Sequence, residues 1–263
     1  MLKIGDIVDA MDGVFPLSTQ EDWDNSGLLV GSREWTLRGL LLTVDITEER
    51  VEEAIDKGCN MILSHHPIMF RGLRRLNGCN DEERTVMLAV KNDVALCAFH
   101  TPADKSLLGT SGTLGRMIGL EKIKTLALEK CDEGGEARGY GVVGELKQPM
   151  CADEFMQTIK DRLGCQCIRH SDYDGKVRRV AICTGSGSEF IGLAKREKAD
   201  AYVTADVKYH QFQQGDGMMM IVDVGHYESE ELCKKLFFEI LKEKMPTFAP
   251  CISDTCKNII KYY

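Results

Sequence analysis

Proline is scarce in this chain, six residues in 263, and no apolar run approaches membrane-spanning length. Neither a proline-rich linker nor a transmembrane helix is therefore expected. Positive charge is also short: 33 Lys and Arg stand against 41 Asp and Glu, a net charge of −8. That balance disfavours general nucleic-acid binding, which needs clustered cations along the phosphate backbone. A bound metal pair would still draw an anionic ligand locally, whatever the global sign. The N-terminal MLKIGDIVDAMDG reads as an amphipathic helix, not as a secretory signal. Cysteine is plentiful at eleven, but the count is odd, and the closest pair, Cys165 and Cys167, has no second pair to complete a zinc ribbon. Cys59, Cys97, Cys165, Cys167 and Cys183 lie in or beside strand-like stretches, where cysteine acts as a small buried hydrophobe. Free thiols and a reducing, cytoplasmic setting are expected.

What the chain does contain is an alternation of strands and helices. Apolar strands are predicted at 37–44, 59–64 and 94–99 in the first half, and at 139–146, 178–183, 201–204 and 218–223 in the second. Between them lie predicted helices at 3–12, from Thr47, 81–92, after Leu107, and at 152–163, 187–198, 207–214 and 228–243. Such alternation favours parallel sheets covered by helices. The halves echo one another. Leu63-Ser64 matches Val203-Thr204, and His100 with Asp104 matches His226 with Glu230. The expected fold is α/β, with two similar halves, 1–128 and 129–263, whose largely parallel sheets face each other across a metal-binding cleft. The C-terminal segment is expected to be able to pack back on the first half.

Six histidines are few, and four of them (His65, His66, His100, His226) follow directly on apolar strands. In Ser64-His65-His66-Pro67, the proline biases the chain out of the strand, so both rings can swing toward one site. Imidazole suits zinc, iron, nickel and manganese, and carboxylates add charge compensation and can bridge two ions. His65, His66, His226, Asp104 and Glu230 thus offer three nitrogens and two carboxylates, leaving positions for water or substrate. The spacing of His226 and Glu230 places them one turn apart on a helix face. His100 could move a proton beside the metals or orient a neighbour. His210, one turn after Asp206, could contact substrate, support a ligand or simply pack. Gly185-Ser186-Gly187-Ser188 lacks a phosphate-loop lysine and reads as a tight strand-to-helix turn.

Six motifs now stand in order: W-D-N-S-G-L-L-V-G at 23–31, V-D-I-T at 44–47, S-H-H-P-I-M-F at 64–70, H-T-P-x-D at 100–104, T-A-D-x-K-Y-H at 204–210 and D-x-G-H-Y-x-S-E at 223–230. Together they resemble the Nif-three-like dinuclear-metal-centre family, whose bacterial members carry the label GTP cyclohydrolase type 2 homologue. The resemblance runs nearly end to end and implies two divalent ions on His65, His66, Asp104, His226 and Glu230, with Glu230 as the bridge. It also implies a hexameric ring, and the short family form without an inserted domain. Pro102-Ala103 departs from the Asn-Leu or Ala-Leu frequent in relatives. The expected activity is metal-dependent hydrolysis of a small phosphorylated or nucleotide-like molecule; the alternative is a metal-binding or regulatory scaffold forming a ring.

Overall fold

A computed structural model of the chain describes residues 1–131 and 137–263. In chain order the elements are α1 (Ile4–Asp12), β1 (Gly27–Val30), β2 (Leu40–Thr43), α2 (Glu48–Asp56), β3 (Met61–Ser64), α3 (Asp81–Lys91), β4 (Ala95–Ala98), α4 (Thr101–Asp104), α5 (Thr110–Met117) and β5 (Leu120–Cys131). They continue with β6 (Ala137–Cys151), α6 (Ala152–Leu163), β7 (Arg169–His170), β8 (Lys176–Ser186), α7 (Ile191–Arg196), β9 (Ala201–Ala205), α8 (Tyr209–Phe212), β10 (Met220–Asp223), α9 (His226–Glu230), α10 (Cys233–Lys244) and β11 (Cys251–Ile252). Two compact units result, one of Met1–Ala103 with Cys233–Lys257, the other of Asp104–Leu232 with Asn258–Tyr263.

The first unit carries a five-stranded sheet in the order β1-β4-β3-β2-β11. All pairings are parallel except β1 on β4. Every residue of β2, β3 and β4 is buried, as befits parallel strands covered on both faces. Leu41, Ile62 and Leu96 pack with Val51 and Ala54 of α2 and Ala89 of α3. The C-terminal segment belongs here because β11 pairs with β2 and Phe237 of α10 packs on Phe15. Glu53 ties that segment down, accepting hydrogen bonds from Ser253 Oγ (2.5 Å), the Asp254 amide (2.7 Å) and Thr255 Oγ1 (2.6 Å).

The second unit carries a six-stranded sheet in the order β5-β6-β8-β9-β10-β7. Its centre, β8-β9-β10, is parallel, and antiparallel strands flank it on both sides. Alternate residues of β8 serve opposite faces. Val180 and Ile182 pack with Phe155, Ile159 and Leu114, whereas Ala181 packs with Ile191, Ala194 and Met219. Strand β5 pairs along β6, so residues 104–128 join the second unit and the division falls at Ala103–Asp104, before the predicted 128–129.

Each unit therefore holds three sequential parallel strands with an antiparallel strand on the last of them, β1 on β4 and β7 on β10. Chemistry-bearing residues follow the carboxyl ends of the strands in both: His65-His66 after β3, His100 after β4, Asp206 after β9 and His226 after β10. Cys59, Cys97, Cys165 and Cys183 are buried and free, whereas Cys167 is exposed between α6 and β7, outside any core. Among the described residues no helix is long and apolar enough to cross a membrane.

Candidate metal centre

In the first unit, β3 ends at Ser64 while the backbone stays bound to the neighbouring strand's end. The His65 amide donates to Thr43 O (3.3 Å) and the His66 amide to Val44 O (3.0 Å). Ser64 Oγ donates to His66 O at 2.6 Å and pins the turn before Pro67. The two rings converge, with centroids 4.9 Å apart, and His100 lies 5.2 Å from His65 and 5.4 Å from His66. One nitrogen from each of the three lies within 4.8 Å of the others. His65 is fully buried.

Two of these rings are held by aspartates that the motif reading did not single out for this role. His66 Nδ1 lies 2.7 Å from Asp45 Oδ1, and His100 Nδ1 lies 3.0 Å from Asp24 Oδ1. Asp24 is a buried hub. Its Oδ2 accepts from Thr101 Oγ1 (2.6 Å), Ser26 Oγ (2.8 Å) and the Thr101 amide (3.1 Å). Burial alone would raise its pKa, but the hydrogen bonds from His100, Thr101 and Ser26 hold it far below the usual carboxylate range. Pro102 sits in the first turn of α4, where its missing N–H would have had no helical partner anyway. The helical turn ending at Asp104 is therefore intact despite the departure in sequence.

In the second unit, His226 opens α9 and Glu230 closes it. They stand one turn apart, as their spacing predicts, with Nε2 3.1 Å from Glu230 Oε2. His226 Nδ1 lies 2.7 Å from Asp206 Oδ2. Asp206 adopts a left-handed backbone conformation (φ 54°), one that aspartate tolerates better than most residues. Burial favours the neutral His226 ring, but Glu230 and Asp206 prevail and raise its pKa to about 9. Asp104 accepts from Thr110 Oγ1 at 2.9 Å, and Thr110 is joined in turn to Thr184 at 2.7 Å. Burial first, then the charges of Asp104 and Glu230, push the Cys183 thiol far up.

Glu230 is almost wholly buried, and its room depends on Gly185. A Cβ there would stand 2.1 Å from Glu230 Oε1, and the backbone is left-handed (φ +65°). The Gly-Ser-Gly-Ser turn thus serves as a cradle for a carboxylate; its amides are engaged, Gly185 N with Ser229 Oγ and Gly187 N with Thr204 Oγ1. Gly185→Ala is expected to displace Glu230 and cut metal content by at least about half, with the fold retained. Metal analysis beside circular dichroism checks this, and unchanged metal content would refute it.

The donor chemistry fits a divalent transition metal. Three imidazoles converge in one unit, while an imidazole and a buried carboxylate pair in the other. His210 joins neither group. It is exposed, with its ring against Tyr209 at 5.2 Å. His170 is likewise exposed, on the edge strand β7.

A family model described as Duf34/NIF3 (NGG1p interacting factor 3) matches residues 2–258. The chain belongs to the Duf34/NIF3 family. It is 35% identical over 231 residues to a GTP cyclohydrolase 1 type 2 homolog of Clostridium perfringens, covering 87% of each chain. A Bacillus cereus protein related to NIF3 shares the fold with a TM-score of 0.91 and 22% identity, over 99% of both chains. A hypothetical protein of Staphylococcus aureus, SA1388, is similar with a TM-score of 0.89 and 27% identity, over 100% of this chain and 99% of that one. Within the NIF3 family frame, the motifs at 23–31, 44–47 and 204–210 acquire a physical role here. They supply Asp24, Asp45 and Asp206, the partners of the three paired rings.

Proposed function

We propose that the chain is a metal-dependent hydrolase in which His65, His66, Asp104, His226 and Glu230 act together on two divalent ions, zinc, iron, manganese or nickel. One observation carries this reading. Three of the imidazoles have an aspartate on Nδ1, at 2.7–3.0 Å, in His66–Asp45, His226–Asp206 and His100–Asp24. A carboxylate on Nδ1 fixes the tautomer and leaves the Nε2 lone pair for a metal or a proton. A surface or core histidine has no need of that arrangement three times over.

Divalent metal held there supplies Lewis acidity and a hydrolytic water that ionises near neutral pH. The chain's own residues do the rest. Asp45 and Asp206 orient His66 and His226, and Glu230 is the carboxylate placed to be shared. His100, anchored through Nδ1 by Asp24, accepts or returns a proton at Nε2, and His210 ranks behind it because it is exposed. The substrate is a small phosphorylated or nucleotide-like molecule, in keeping with the name borne by the Clostridium perfringens relative. The working form is a cytoplasmic homo-oligomer, a hexamer by family resemblance.

The test is a turnover screen of the metal-loaded protein against nucleotides and phosphoesters. Turnover that disappears with Glu230→Ala supports the hydrolase. His100→Gln should lower kcat by about 100-fold or more at unchanged metal content, as loss of a general acid–base does. Clean ligand binding without any turnover would overturn the hydrolase in favour of a metal-bearing scaffold.

A further inference from the structure

Beside the histidine trio, two large aromatic side chains are left in solvent. Trp23 is 58% exposed and Phe70 46% exposed. Their ring centroids stand 6.2 Å apart, and both rest against His100, at 5.7 Å and 5.6 Å. They are held there on purpose-built loops: Asn25 Nδ2 donates to Met69 O at 2.8 Å, tying the Trp23 loop to the segment that carries Phe70. Exposed aromatic surface of this kind, locked in place, has apolar area to offer a ligand.

Phe70 also lines a cleft of about 470 Å³, shared with Arg71, Arg74, Arg75, Glu82 and Glu83. That volume lies within the roughly 300–1,000 Å³ usual for small-molecule sites. Glu83 is already engaged, accepting hydrogen bonds from the Asn77 (3.2 Å) and Cys79 (3.0 Å) amides with Arg75 nearby. Arg71 and Arg74 have neither an ion pair nor a hydrogen-bond partner among the described residues, and three guanidiniums face two carboxylates. In a chain of net charge −8, this is a local excess of the opposite sign. Guanidinium forks match phosphate geometry, and aromatic faces accept a planar ring without regard to its hydrogen-bonding edge.

The geometry points to a binding subsite for an aromatic phosphate, its ring stacked on Trp23 and Phe70 and its phosphate on Arg71 and Arg74. The subsite names a substrate class for the hydrolase reading and rests on it only for what happens to the ligand after binding. The ring is thereby placed next to His100, and the phosphate is held by side chains that are not metal ligands.

Trp35→Phe leaves Trp23 as the sole tryptophan, so its fluorescence reports on the subsite. Titrating this protein with AMP, adenosine and ribose 5-phosphate separates the two halves of the ligand. AMP should quench Trp23 and bind at least about tenfold more tightly than either fragment. In calorimetry, Trp23→Ala should weaken AMP and adenosine about tenfold and leave ribose 5-phosphate unchanged, with Trp23→Phe restoring most of the loss. Arg71→Ala with Arg74→Ala should weaken AMP and ribose 5-phosphate about tenfold and spare adenosine. AMP affinity unmoved by both sets of substitutions would overturn the subsite. Repeating the titrations after chelation keeps the two proposals apart. AMP bound through Trp23 and the arginines, with no nucleotide or phosphoester turned over by the metal-loaded protein, removes the hydrolase and keeps the subsite. Turnover of a phosphoester that is indifferent to all three residues keeps the hydrolase and removes the subsite.

Discussion

Glu230→Ala is expected to strip most metal from the purified protein, from about two ions per chain to well below one. Glu230 is almost wholly buried, is set 3.1 Å from the His226 ring, and is given its room by Gly185. In the proposed two-ion site its charge would compensate both ions, so its loss would weaken both, whereas an imidazole serves one ion at a time. His66→Ala, which removes a single nitrogen from a site still holding His65, should therefore lose about one ion and keep the other. Elemental analysis after purification without chelator reads both variants. Wild-type protein persistently free of metal would sink the two-ion proposal, and equal losses in the two variants would remove the bridging role of Glu230.

Chelation of the wild-type protein should lower its melting temperature and loosen α9 far more than β2. Ligand that binds only the folded state stabilises it by about 4 kcal/mol at a thousandfold excess over Kd, and the same amount is lost on removal. The loss should fall locally. Helix α9 has five residues, too few to hold helical structure by its own hydrogen bonds, and two of them are proposed ligands. Strand β2 is buried along its whole length and paired on both sides, so its amides open only with its unit. Hydrogen exchange on loaded and chelated protein compares residues 226–230 with 40–43. Equal protection of 226–230 in both states would mean that α9 is preformed and that the ions add chemistry alone.

The sequence by itself determined the elements whose signal is local. Leu40–Thr43, Met61–Ser64 and Ala95–Ala98 are continuous apolar runs, and the amphipathic pattern of 152–163 coincides with helix α6. The ends of those runs showed where His65, His66, His100 and His226 stand, because the functional residues of α/β sheets gather at the carboxyl ends of the strands. The i,i+4 spacing likewise foretold the His226–Glu230 pair. Strands without that signal escaped. In β5, a bulge between Glu121 and Lys124 breaks the alternation, and Lys122 takes a positive φ of 53°. Edge strands β7 and β11 are two residues long each, too short for any period to register.

Only the tertiary structure decided which carboxylate holds which ring. Asp24 and His100 are 76 residues apart, Asp45 and His66 are 21 apart, and Asp206 and His226 are 20 apart. No periodicity links such positions; they meet because parallel strands bring their carboxyl ends side by side, and a loop at 23–26 crosses over one of them. The same holds for the break after α9, where a predicted helix over 228–243 divides into 226–230 and 233–244 and the chain passes back to the first unit at Cys233. Helical propensity continues through that point, but packing does not: Phe237 belongs against Phe15, while Glu230 belongs with His226.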